Sequence, residues 1–137
     1  MGYGTDGLTF NTLRRANMAR IGTFKNAKGE LAHASDGSDW SLNDWCTAVT
    51  GELGETANLL KKVRRGDFTL DEVRPELAKE LADIQTYLDI LAFRCGVDLG
   101  RATIAKFNEV SDRLLTDGST ISSIKIREDG EDYYINK

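Results

Sequence analysis

Apolar residues recur at helical spacing along most of the chain and change to a strand-like pattern only near its end. Phe10, Leu13, Met18 and Ile21, with Ala16 and Ala19, predict a first helix from about Thr9 to Phe24. The stretch 26–39, NAKGELAHASDGSD, is polar and turn-rich and reads as a long loop. Leu42, Trp45, Val49, Leu53, Leu60 and Val63 predict a second helix, with Ser41 or Asp39 as N-cap and Gly66-Asp67 as its end. A short segment from Thr69 to Arg74 follows, and Pro75 suits the first turn of a third helix running to about Cys95. Its core stripe is Leu77, Leu81, Ile84, Leu88, Leu91 and Ala92, and Gly96 fits a C-terminal cap. A fourth helix spans about Leu99 to Leu115, ended by Asp117-Gly118.

Beyond it the period changes. Ile121, Ile124 and Ile126, then a turn containing Gly130, then Tyr133, Tyr134 and Ile135 have the composition of a β-hairpin, with an acidic tail lacking fixed structure as the other reading. The expectation is an all-α fold in one domain over residues 1–137, with a helical core at about 9–116 and an extension at 117–137. Gly2, Gly4 and Gly7 spell GxGxxG, but no strand precedes them, so a dinucleotide fingerprint is not expected.

Composition narrows the function classes. The chain has 137 residues, 40% hydrophobic and 29% charged, with a formal net charge of −4. An acidic balance argues against nucleic acid as partner. A nucleotide stays possible where divalent cations bridge like charges. No apolar run reaches the roughly 18 residues of a membrane span, and MGYGTDGLTF shows no secretory pattern, so no membrane partner and a cytoplasmic location are expected. Cys46 and Cys95 lie within apolar helical patterns and read as buried free thiols of a reducing compartment, with a disulfide the minor alternative.

The chemistry sits in carboxylates. Glu52 and Glu55 on the second helix, and Glu80 and Asp83 on the third, are each spaced i, i+3, which puts each pair on one face roughly 5–6 Å apart. Both pairs border apolar stripes, where unpaired acids cost several kcal/mol per ion. Packed antiparallel, the two helices bring four carboxylates to one patch. Oxygen ligands alone suit Mg²⁺ or Mn²⁺ rather than zinc. His33, the single histidine, falls in the polar loop and reads as exposed, which removes di-iron and histidine-activated nucleophile schemes. The plainer reading is two solvated helix faces whose acids pair with Lys61, Lys62, Arg64, Arg65 or Lys79.

Glu52-Leu-Gly-Glu55, 24 residues, then Glu80-Leu-Ala-Asp83 resembles the ExxE…ExxD signature of the MazG-like all-α nucleoside triphosphate pyrophosphohydrolases, a superfamily that includes dimeric dUTPases, dCTP pyrophosphatases and phosphoribosyl-ATP pyrophosphohydrolase. The flanking words GELGETANLLKKVRRGD and ELAKELADIQTYLDILAFRCGVDLGRATIAKFNEVSDR extend the resemblance over about Trp40 to Arg113. It implies a four-helix core assembled as a homodimer or homotetramer. Glu52, Glu55, Glu80 and Asp83 would be ligands to Mg²⁺ or Mn²⁺, with Glu52 or Glu55 also the general base. Lys106, Asn108 and Arg113 match the family's phosphate-binding cluster, although the asparagine follows the lysine more closely here than in many relatives, which leaves Ser111 as an alternative to Asn108. The implied reaction converts (d)NTP to (d)NMP and pyrophosphate in nucleotide-pool control, in a bacterial or phage-infected cytoplasm, with a weak leaning to a purine such as dGTP. A phosphoribosyl-ATP substrate, or a non-catalytic helical module, are the alternatives.

For base recognition the candidates are Trp40, Asn11, Arg14 and Tyr87, with Asn17 and Phe10 nearby; an aromatic face stacks on a base and polar side chains read its edge. Trp45, at helical spacing from Val49, reads as core. Glu76 is a salt-bridge partner or an outer-sphere ligand.

Overall fold

The computed structural model describes residues 7–116, 124–127 and 134–135. It contains four α-helices: α1 (Phe10–Arg20), α2 (Leu42–Arg65), α3 (Leu70–Arg94) and α4 (Leu99–Thr116). A 3-10 turn, Ile21–Thr23, extends α1. The all-α expectation holds. Gly2 and Gly4 of the glycine run, and Ile121, Gly130 and Tyr133 of the hairpin pattern, lie outside the described residues.

The chain divides into two compact units, Met1–Gly96 and Val97–Lys137. In the first, α2 and α3 form a helical hairpin across a tight connection, and α1 packs on α3. Each helix starts at a reciprocal cap. Ser41 Oγ accepts from the Asp44 N–H at 3.1 Å while Asp44 accepts from the Ser41 N–H at 2.9 Å. Thr69 and Glu72 repeat the arrangement on α3, and Thr9 with Thr12 on α1. Such boxes satisfy two of the donors that a helix start leaves bare. Gly66 ends α2 in the left-handed region, φ 83°, where a side chain would be strained.

Three expectations are corrected here. The cap at Thr69 starts α3 six residues before Pro75, so the Thr69–Arg74 segment is the first part of one continuous helix. Pro75 merely lacks the N–H that would bond the Asp71 carbonyl. Leu53, Leu60 and Leu81 are exposed (Leu53 at 55%) rather than core. The buried and half-buried stripes keep Trp45, Val49 and Val63 on α2 and Leu77 and Ile84 on α3, but take Glu52, Thr56 and Leu59, and Val73, Glu80 and Tyr87, in place of the exposed leucines. Cys46 and Cys95 are free, as expected, but exposed.

The core is small: Ile21, Trp45 and Ile90, with Trp40, Tyr87 and Leu91 against them. Below it Asp89, 1% exposed, accepts from Arg14 Nε at 3.0 Å and from Asn17 Nδ2 at 2.9 Å, fastening α1 to α3. The loop before α2 docks through Gly37, whose carbonyl accepts from Trp45 Nε1 at 2.9 Å.

In the second unit Asn108 uses both ends of its amide on one backbone position. Its Oδ1 accepts from the Ile126 N–H at 2.9 Å and its Nδ2 donates to the Ile126 carbonyl at 3.0 Å. Strand β1 (Ile124–Lys125) pairs antiparallel with β2 (Tyr134–Ile135), Ile124 opposite Ile135. Among the described residues no helix is long and apolar enough to cross a membrane.

Candidate metal centre

On both helices of the hairpin a carboxylate occupies a stripe position that would otherwise hold a core residue: Glu52 on α2 and Glu80 on α3, both half-buried. One turn beyond Glu80, exposed Asp83 completes a cluster. One oxygen from each of Glu52, Glu80 and Asp83 lies within 4.8 Å of the other two. Ligand oxygens about 2.1 Å from an octahedral Mg²⁺ stand about 3.0 Å apart when cis and about 4.2 Å when trans, so side-chain movements of about an ångström close the set on an ion.

The electrostatics show what the cluster costs without a cation. The Glu80 carboxyl is pushed up to about 7, first by sharing a proton with the Glu55 carboxyl, then by burial and by the charges of Glu55, Glu52 and Glu76. Glu52 is also raised, chiefly by burial and then by Asp83 and Glu55. Glu55 therefore reaches the cluster through Glu80. Oε2 of Glu80 is buried and meets no hydrogen-bond donor. An acceptor shielded from water without a donor is disfavoured unless a proton or a cation fills the gap. The donor set is all oxygen and acidic, which fits a hard divalent ion.

Among the described residues none of the four carboxylates pairs with a lysine or arginine, so the surface-salt-bridge reading does not hold. Arg65 pairs with Asp67, and Lys79 with Glu76 at 3.6 Å, which makes Glu76 a salt-bridge partner.

Beside the cluster opens a cavity of about 380 Å³, within the range of small-molecule sites. Glu52 and Asp83 form its acidic wall, Phe24, Trp45 and Tyr87 its aromatic one, with the Arg20 guanidinium and the His33 imidazole beside them. Tyr87, a candidate for base recognition, lines this cavity. Its hydroxyl is raised by burial and by Glu52 and Asp83, partly offset by Arg20.

Of the other expected substrate residues, those in the first unit do not line this cavity and the rest belong to the second unit. Trp40 is not on the cavity wall: its ring packs against Trp45 at 4.7 Å and against the edge of His33 at 4.6 Å. Arg14 and Asn17 are committed to Asp89. Asn11 is exposed at the opposite end of α1 from Arg20, nine residues or about 14 Å of helix rise away. Lys106, Asn108 and Arg113 belong to the second unit. There Lys106 pairs with Glu109 at 2.8 Å, and Asn108 gives both ends of its amide to Ile126. Ser111, its alternative, is buried. Arg113 is exposed in the last turn of α4.

His33 contradicts its reading as a solvated loop residue. Its side chain is 14% exposed, its Nδ1 lies 3.1 Å from Asp39 Oδ2, and its ring tilts against Trp45 at 5.2 Å. The signal was local: Asp39 also accepts from the Ala34 N–H, closing the loop back on itself. Arg20 was missed altogether, though it follows buried Asn17 by one helical turn on the same face.

No protein-family model, curated protein or solved structure matches this chain.

Proposed function

We propose that the chain is a divalent-metal-dependent nucleoside triphosphate pyrophosphohydrolase. The observation that carries the reading is the convergence of Glu52, Glu80 and Asp83, with Glu55 at Glu80, beside a cavity of mixed aromatic and charged lining. The resemblance of the two i, i+3 acid pairs and their flanks to the MazG-like enzymes supports the same reaction.

Glu52, Glu80 and Asp83 would hold Mg²⁺ or Mn²⁺. When bound, the ion supplies neutralisation of phosphate charge and a water of lowered pKa. Glu55 is exposed and outside the three-oxygen set, and once a cation takes the place of the proton it shares with Glu80, its carboxylate would accept a proton from the attacking water. Water oxygen bonds to the α-phosphorus, its proton passes to Glu55, and the α–β bridging bond breaks to release pyrophosphate. Phe24 and Tyr87, backed by buried Trp45, offer the base an apolar wall, a purine such as that of dGTP among the candidates. A second copy of the chain covering Leu53, Leu60 and Leu81 would account for their exposure, in keeping with the expected homo-oligomer.

The test is pyrophosphate release from the common ribo- and deoxynucleoside triphosphates and from phosphoribosyl-ATP with Mg²⁺ or Mn²⁺. Wild-type protein is expected to turn over at least one, and Glu55→Gln and Asp83→Asn to stop it while both variants stay folded. Failure on every substrate, or wild-type rates in both variants, refutes the proposal.

A further inference from the structure

Arg20 is the last residue of α1, and its backbone is pinned from both sides. The Asp89 contacts fasten the preceding turn, and the next residue, Ile21, is in the core. Gly22 then lies so close to Ser35 that a Cβ there would sit 2.8 Å from its Cα. From this fixed point the Arg20 guanidinium carbon stands 5.4 Å above the centroid of the Phe24 ring, and the side chain lines the cavity with Glu52 and Asp83.

A guanidinium sharing a cavity with two carboxylates ordinarily forms an ion pair with one of them. Among the described residues the Arg20 guanidinium forms no hydrogen bond or ion pair; its backbone carbonyl accepts from Thr23 Oγ1 at 2.6 Å. One oxygen each of Glu52 and Asp83 instead lies within 4.8 Å of a Glu80 oxygen. The cavity thus keeps its cation and its acids apart, each with unspent capacity. The acids can accept a divalent ion, and the planar N–H fork of Arg20 matches two oxygens of a phosphate. A polyphosphate laid between them meets both.

We infer that Arg20, held over Phe24 and unpaired beside the acidic wall, is the residue that grips a phosphate group of the ligand. The identification of that ligand as a nucleoside triphosphate rests on the proposed hydrolase reading, whereas the polyphosphate contact itself does not. Arg20 binds while the carboxylates hold the metal, so losing it weakens anion binding and leaves metal binding intact.

The experiment uses inorganic tripolyphosphate with Mg²⁺ as probe, and follows binding by calorimetry and thermal shift in wild type, Arg20→Ala and Arg20→Lys. Losing a charge-assisted contact weakens binding about ten- to hundredfold in Arg20→Ala, and lysine, a single point charge, restores part of it. The stabilisation by Mg²⁺ alone is expected to be equal in all three, which shows that the alanine variant is folded. Tripolyphosphate binding within twofold of wild type in Arg20→Ala, or no binding by wild type, overturns the inference. Arg20-dependent binding in a protein that releases pyrophosphate from no nucleotide sustains it, while sinking the hydrolase reading alone.

Discussion

Replacing Asp89 by alanine removes the acceptor that joins α1 to α3. Asp89 is 1% exposed and receives Arg14 Nε at 3.0 Å and Asn17 Nδ2 at 2.9 Å. Breaking one side of a buried ion pair costs about 3–5 kcal/mol. Two facts favour the lower end. The Arg14 side chain is 24% exposed and regains water, and Asn17 keeps a 3.3 Å bond to the Thr86 carbonyl. About 3 kcal/mol is therefore expected, a fall of about 12 °C in Tm at roughly 4 °C per kcal/mol for a domain of this size. Urea and thermal denaturation of Asp89→Ala, Arg14→Ala and the double variant measure both the loss and the coupling. The single losses are expected to exceed additivity by about 1–2 kcal/mol, because the second deletion removes the stranded partner. A loss under about 1 kcal/mol, or strict additivity, would refute the claim that this pair holds α1 in place, and with it the placement of Arg20.

Gly37→Ala is expected to destabilise by about 2 kcal/mol or more, since its φ is +72° and a Cβ would come within 2.8 Å of Ile21 Cδ1. Gly29→Ala, at φ +80° in open space, should cost only about 1 kcal/mol, and equal losses in the two would contradict the docking role of Gly37. Without metal, the folded protein holds a proton on Glu80 that the unfolded chain releases above about 4.5. Stability is then full below that value and falls as pH rises through about 7, with Glu52 acting in the same direction. Tm in EDTA across that window checks the sign. Glu80→Gln should flatten the profile, and a profile rising with pH in wild type would reverse the reasoning.

Helix number and type were legible because apolar spacing and caps agree: Ser41 and Gly66 mark the ends of α2 in the sequence and in the structure. Pro75 misled, because a proline suits a helix start while Thr69 with Glu72 makes a stronger one. The acid pairs were legible as pairs, since i, i+3 fixes their face. Their position inside the buried stripes was not, because Leu53 and Leu60 fit helical spacing as well as Glu52 and Thr56 do. Only packing chooses between neighbouring stripes. The cavity was illegible for a related reason: His33 and Arg20 reach it through a loop and a helix end, and no period describes where those go. Asn108 has the residue type of a phosphate ligand, yet its amide is spent on Ile126, a contact 18 residues away.

Calorimetric titration of the metal-free protein with Mn²⁺, in buffers of different ionisation enthalpy, tests the metal centre most directly. Wild type is expected to bind the ion and to release protons at pH near 7, as the cation displaces the proton held on Glu80. Glu80→Gln should bind at least about tenfold more weakly with little proton release. Absent binding in wild type, or equal affinity in Glu80→Gln, would contradict the account.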